Sequence, residues 1–231
     1  MLNIYFQSGK ELTMLRFPEE LMLLILDDDN GRFARVPDQS LRYALAGGVL
    51  MDLAMENRID TDPDRLVLVD STPVQDSLLD PTLADISQAD ETRDARFWVE
   101  RTAIRSAAGI RETSLDRLVE KGILERRDDR FLWVFRSRRY PSVDDQAERE
   151  VKLRIMEILF SDQIPDPRDV VIISLAHACN LFSQILSSRE LARVAPRINQ
   201  VRKLDLIGQA TFRAITEIEL SLALAVQMRP Y

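Results

Sequence analysis

The sequence predicts a mainly α fold, a single globular helical domain with short β-hairpins, one of them apolar. Three observations carry this expectation. Only seven of the 231 residues are glycine, and the apolar vocabulary is rich in leucine, alanine and isoleucine, which favours helix over sheet. Apolar residues recur at near-helical spacing, as at Leu41, Leu45, Val49 and Leu53 in SLRYALAGGVLMDLAMENRI (40–59). A hydrophobic content of 45% supplies a sizeable core, while 30% charged residues keep the surface solvated.

FPEELMLLIL (17–26) reads as a helix, with Pro18 near its start and Glu19 and Glu20 suited to the positive end of the helix dipole. DDDNG (27–31) is a tight turn, because Asn30 and Gly31 tolerate positive φ. It lacks the ligand alternation and the closing glutamate of a calcium loop. The helix over 40–59 contains Gly47-Gly48, a cost of about 1 kcal/mol per glycine that close packing by a neighbour would offset. RLVLVDSTP (65–73) is β-like, SLLDPTLADI (77–86) a short helix and SQADETRD (87–94) a polar linker. FWVERTAIRSAAGIRETSLDRLVEKGIL (97–124) reads as helix, turn, helix, with Gly122 at the C-terminal end. A β-hairpin follows: ILERR outward, a turn near Asp128-Asp129, RFLWVFR returning and Pro141 as the stop. Helices are expected over 146–162, over about 168–187 after a Pro-rich loop, and over 189–228 with a break at Pro196. NIYFQSG near the start resembles a protease-cleavage tag remnant, so residues 1–10 are excluded and 11–231 read as one domain.

The net charge of −7 is unevenly spread. Residues 101–139 hold ten Arg and one Lys against six Asp/Glu, leaving this stretch at +5 and the remainder at −12. A basic face on an acidic body points to an anionic partner met at one surface. The one cysteine, Cys179, excludes an internal disulfide and fits a reducing, cytoplasmic compartment. With one histidine besides, a zinc site is nearly excluded and neither metal nor cofactor is expected. No secretory signal is visible, and no stretch reaches the ~20 apolar residues of a membrane-spanning helix.

No catalytic constellation is apparent. His177, Ser174 and Cys179 lie within one apolar helical pattern, where a core histidine is the plainer reading. Gly47-Gly48 lacks the pattern of a phosphate loop, and carboxylate pairs such as Asp76 and Asp80 identify nothing alone.

ERRDDRFLWVFRSRRYP (125–141) is the informative stretch. Phe131, Leu132, Trp133, Val134 and Phe135 form an apolar run between Arg126, Arg127 and Arg130 on one side and Arg136, Arg138 and Arg139 on the other. Each large apolar side chain gains roughly 1.5–3 kcal/mol on burial. Each basic residue near an anionic membrane adds about 1 kcal/mol. A two-stranded hairpin cannot span a bilayer, since its edges leave backbone groups unpaired, so only its tip could enter. Three readings stand at this point: a membrane anchor, an ordinary core or subunit-contact strand, and the wing of a winged-helix nucleic-acid binder using Arg117 and Lys121. The acidic remainder weighs against nucleic acid.

Several phrases together resemble the Golgi phosphoprotein family. They are LTMLRFPEELMLLILDDDNG, ALAGGVLMDLAMENRI, STPVQDSLLDPTLADI, LVEKGIL and ISLAHACNLF, in that order, over about residues 12–228. The resemblance implies a non-enzymatic peripheral membrane protein whose apolar hairpin protrudes and inserts into the bilayer, and also mediates oligomer contacts. Basic residues beside the hairpin would hold an anionic phospholipid, phosphatidylinositol 4-phosphate in eukaryotic members, and an adaptor role would add a membrane-enzyme client. The family's pocket arginine falls on Arg111, while its companions fall on Ala108 and Ala46 and its pocket tryptophan near Pro37. Arg42 and Arg105 are the expected stand-ins, with Arg126 and Arg127 alongside. The chain lacks a long basic N-terminal extension, which resembles a compact, prokaryotic-type member.

Overall fold

The computed structural model describes residues 14–27, 32–62, 64–131, 135–139, 145–205, 207–210 and 213, with 127–131, 135–139 and 145–148 described as backbone. Helices dominate, as the sequence predicts, and the strands pair only as small antiparallel hairpins.

The helix α1 (Phe17–Leu24) is the axis of the core, and all eight of its residues are buried. Helices α2 (Asp38–Met55), α4 (Ala95–Glu120), α5 (Asp145–Phe160) and α6 (Pro167–Ala178) pack around it. Gly48 permits the closest approach: a Cβ there would lie 3.3 Å from both Phe17 Cβ and Pro18 Cδ. The Asp52 carboxylate of α2 accepts the Phe17 N–H at 2.9 Å, which fixes one of the donors that a helix start leaves open.

A helix buried all round would be expected to be apolar, yet α1 carries Glu19 and Glu20 at 0% and 1% exposure. Four cations converge on them from three other helices. Arg117 and Lys121 of α4 donate to Glu19 at 3.2 and 2.5 Å. Arg154 of α5 and Arg168 of α6 donate to Glu20 at 2.9 and 2.8 Å. Arg16 and Arg117 also meet Asp76, at 2.9 and 2.6 Å. The two glutamates are therefore the hub that ties α1 to α4, α5 and α6, a role beyond complementing the dipole.

Around this core lie the hairpin β1 (Leu26–Asp27) with β2 (Arg32–Phe33), the hairpin β3 (Ile59–Thr61) with β4 (Leu66–Leu68), and α3 (Asp80–Ser87). The loop of the first hairpin, residues 28–31, lies outside the described residues. Of the β-like run 65–73, only Leu66–Leu68 pairs as a strand.

Three expected boundaries change. The helix-turn-helix over 97–124 is one continuous helix, α4, capped by Asp94, which accepts the Phe97 N–H at 2.8 Å. Gly109 lies inside it without interrupting it. At the other end Gly122 takes φ +72° and closes the helix as expected, with Ile123 N donating to Leu118 O at 2.9 Å. The core helix expected over 168–187 divides: α6 ends at Ala178, Asn180 turns the chain at φ +57°, and α7 (Phe182–Ile185) follows. Asparagine tolerates that left-handed conformation better than other non-glycine residues. By contrast, Pro196 does not break α8 (Ser188–Val201), which opens on a Ser187/Glu190 capping box. Its 3₁₀ continuation covers Arg202–Leu204, and residues from 214 onward lie outside the described set.

The last hairpin, β5 (Arg127–Phe131) with β6 (Phe135–Arg139), corrects the expected turn. Asp128 and Asp129 sit within β5, opposite Arg138 and Ser137, and the chain reverses after Phe131. Core packing explains the difference. Ile123 and Leu124 are 0% and 2% exposed, so they belong to the core and cannot begin an outward strand.

Candidate functional site

A cleft of about 380 Å³ opens between α2 and α4. Leu41 and Leu45 of α2 and Ala107 and Leu115 of α4 form its apolar wall, while Arg42, Asp38, Arg111 and Glu112 supply charge. Arg111 and Arg42 thus line the same cleft. Ala108 lines the same cleft, so the space left by that small residue belongs to the site.

The two arginines share one carboxylate. Arg42 Nε donates to Asp38 Oδ2 at 2.8 Å, and Arg111 NH1 stands 3.9 Å from Asp38 Oδ1. The Arg111 guanidinium also lies over the Phe33 ring, 5.1 Å from its centroid, a cation–π contact that holds the charge at the cleft wall. Sequence reasoning missed both Asp38 and Phe33. The i, i+4 spacing of Asp38 and Arg42 was a usable signal. Phe33 had none, since it reaches Arg111 only through the tertiary fold.

Arg105 is not in this cleft. It faces α3, where Arg105 and Arg101 both donate to Asp85, at 2.9 and 2.7 Å. Two smaller depressions of about 280 and 270 Å³ flank it there. Six residues along an α-helix turn a side chain by about 240°, which separates Arg105 from Arg111.

Arg126 pairs with Asp116 near the end of α4 and so moors the start of the hairpin to that helix. Leu115, the neighbour of Asp116 in sequence, lines the cleft. Cleft and hairpin root therefore share the last turns of α4. Within the hairpin, Arg127 is in register with Arg139 and Arg130 with Arg136, while Arg138 faces Asp128. Phe131 pairs with Phe135 at the turn end; Leu132, Trp133 and Val134, which join them, lie outside the described residues.

The side chains that the sequence offered for catalysis or nucleic-acid binding have the following surroundings. Ser174 Oγ donates to Val170 O at 2.8 Å, and burial pushes the Cys179 thiol up to about 12. Burial, with Arg202 nearby, pushes His177 down to about 4, so it is neutral at pH 7. Asp80 accepts the backbone N–H groups of Val74 and Asp76 at 2.8 and 3.1 Å, as a turn cap. Arg117 and Lys121, the cations of the winged-helix reading, are spent on Glu19 and Asp76. Among the described residues there is no cluster of metal-ligating side chains and no helix long and apolar enough to cross a membrane.

The chain is 24% identical over 208 residues to vacuolar protein sorting-associated protein 74 of Eremothecium gossypii, an alignment that covers 75% of this chain and 62% of that protein. The likeness to that protein does not support a compact, prokaryotic type. The family profile of Golgi phosphoprotein 3 (GPP34) matches residues 17–218, which take in α1, the α2–α4 cleft, the hairpin and α8. The chain belongs to the Golgi phosphoprotein 3 (GPP34) family.

Proposed function

We propose that this protein is a non-catalytic peripheral membrane protein that docks, from the cytoplasmic side, on an anionic phospholipid surface, with residues 11–231 acting as one unit. The observation that carries the reading is the hairpin register. It pairs Phe131 with Phe135 at the turn end and sets arginine opposite arginine at two of the five paired positions. Like charges directly opposite are destabilising in isolation, and an anionic surface relieves them. Phe131, Leu132, Trp133, Val134 and Phe135 anchor the tip, while Arg130, Arg136, Arg138 and Arg139 meet the phosphates at its edge. Arg111 and Arg42, with Arg126 and Arg127 nearby, receive a headgroup in the α2–α4 cleft. The family also suggests phosphatidylinositol 4-phosphate as ligand and an adaptor role toward a membrane enzyme, and its hairpin offers a contact between copies of the chain.

Vesicle flotation tests the reading. The native chain is expected to float with vesicles containing anionic phospholipid and not with neutral phosphatidylcholine alone. Trp133→Asp, which places a charge in the apolar run, should abolish flotation while leaving the circular dichroism spectrum unchanged. Failure of the native chain to float on any vesicle would overturn the proposal.

A further inference from the structure

Arginines across the body of this acidic protein are answered by carboxylates: Arg58 by Asp70, Arg65 by Asp62, and Arg101 and Arg105 by Asp85. Helix α8 departs from that pattern. Arg189, Arg193 and Arg197 follow one another at i, i+4 spacing, so they form a row along one side of the helix, about 6 Å apart on its axis. The row borders the stripe of Val194, Ile198 and Val201, which is buried. Among the described residues, no carboxylate pairs with any of the three arginines. Arg189 stands in the first turn, where the helix dipole disfavours a cation. Arg193 lies over the Phe160 ring, 5.4 Å from its centroid. Arg197 is held by neutral acceptors: its Nε donates to Ile158 O at 3.3 Å and its NH1 to Gln200 Oε1 at 3.0 Å, while NH2 is directed at Gln163 O. Arg193 and Arg197 are therefore oriented without being neutralised.

Beside the row, a depression of about 310 Å³ opens between the end of α5 and α8. Leu159, Phe160 and Pro196 supply its apolar lining, Arg193 and Arg197 its positive charge, and Asp162 the carboxylate that offsets part of it. Phe160 is 38% exposed there, despite its size. The depression shares no lining residue with the α2–α4 cleft. We propose that this face of α8, the row Arg189, Arg193 and Arg197 with the recess at Phe160 and Pro196, docks an extended acidic peptide segment of a partner protein, one that carries an apolar side chain for the recess. Two observations select that occupant. Side chains on one face of an extended peptide recur every ~6.6 Å, close to the ~6 Å spacing of the arginines, so alternate acidic residues can meet successive guanidinium groups. A flat lipid surface would meet the arginines too, but it would leave the recess beside them unfilled. The proposal does not depend on lipid binding by the α2–α4 cleft. Each exposed ion pair is worth a factor of about 1.5–5 in affinity, so the row supplies a salt-sensitive contact and the recess fixes the register of the peptide.

Fluorescence anisotropy of the full chain with labelled synthetic peptides, in the absence of vesicles, tests this. The probe is a short run of glutamates with a central Leu-Phe pair. One control replaces the glutamates by glutamines, and another replaces Leu-Phe by Gly-Ser. The native chain should bind the probe saturably, the glutamine peptide at least about ten-fold more weakly and the Gly-Ser peptide about five-fold more weakly. Arg189→Glu with Arg193→Glu should weaken binding of the probe at least about ten-fold, and Arg189→Gln with Arg193→Gln about five-fold. Both positions are exposed, so the circular dichroism spectrum should not change, and the glutamine pair carries the test if the reversed pair fails to fold. Absence of saturable binding, variants that bind as the native chain does, or equal binding of the Gly-Ser peptide would each overturn the proposal. Two further measurements expose a different occupant. If sedimentation shows the native chain associating with itself and the charge variants monomeric, the row meets a second copy of the chain and the proposal falls. It falls also if the variants lose flotation on anionic vesicles as Trp133→Asp does while peptide binding is unchanged, because the row then faces lipid.

Discussion

At the level of single residues, the buried charges of α1 are both the largest surprise and the most exposed to test. Glu19 is fully buried and receives Arg117, Lys121 and the backbone N–H of Arg16, the last at 2.7 Å. Glu19→Ala leaves buried cations without their partner, so unfolding in urea should show a loss of about 3–5 kcal/mol. Asp52 gives a pH-dependent counterpart. Burial pushes its carboxyl up to about 8, against the pull of Arg168 and Arg16. A raised carboxyl means that the folded state holds a proton the unfolded state has released. The contribution is complete below the ordinary carboxylate range, and it declines as pH rises through about 8. Asp52→Asn can still accept the Phe17 N–H but has no proton to lose. Thermal melts at pH 5 and pH 9 should therefore show the variant gaining on the native chain at the higher pH, by at least about 1 kcal/mol. The burial of Glu19 was not readable from PEEL as a sequence. Two glutamates after a proline look like an ordinary solvated helix start, and only the tertiary packing of α4, α5 and α6 around α1 makes them interior.

At the level of elements, what could be read from the sequence was whatever local chemistry decides. The stripe of Leu41, Leu45, Val49 and Leu53 announced α2, and Gly122 announced the end of α4, because spacing and positive φ are local properties. The expected close approach at Gly47-Gly48 is realised at Gly48 against Phe17 and Pro18. The misplaced boundaries depended on competition between elements. A turn was expected within 97–124, yet α4 runs through that stretch unbroken; Asn180 looked compatible with helix, yet it turns the chain. In the cleft, Arg111 came from the family resemblance and Arg42 from its place one helical turn before Ala46. Arg105 was not separable from them without knowing which face of α4 packs on α3. The two glycines give a paired prediction. A Cβ at Gly109 meets nothing within 4 Å, so Gly109→Ala should stabilise the protein by about 0.5–1 kcal/mol through helix propensity. Gly48→Ala meets α1 at 3.3 Å, where the helix is held by the Asp52–Phe17 hydrogen bond, and should forfeit that gain. Parallel thermal melts decide between them, and equal shifts at both positions would remove the close approach as the reason for Gly48.

At the level of the whole molecule, the proposed membrane reading raises the question of how an acidic protein would hold to an acidic surface. The answer lies in the partition of charge, +5 over residues 101–139 and −12 elsewhere. Long-range repulsion from the body is screened over a Debye length of about 8 Å at physiological salt. On the proposed reading, the hairpin arginines and the lipid phosphates would lie inside that distance. Binding should therefore be strongest at intermediate ionic strength, where salt screens the body more than the contact. Lowering salt to about 10 mM extends the Debye length to about 30 Å and brings the acidic body into play. At several hundred millimolar salt, the arginine contacts are screened as well, and only the apolar tip remains. Arg136→Gln with Arg138→Gln removes two of the cations below the tip. At about 1 kcal/mol each, that should weaken association with anionic vesicles roughly thirty-fold near physiological salt. The same pair of changes makes the whole chain more acidic, so the variant's salt optimum should move upward. Co-sedimentation across a salt series with native and variant chains reads both effects. A native chain whose binding only falls with salt would mean that its acidic body lies too far from the membrane to be felt, and a variant indistinguishable from native would mean that these strands do not face the lipid.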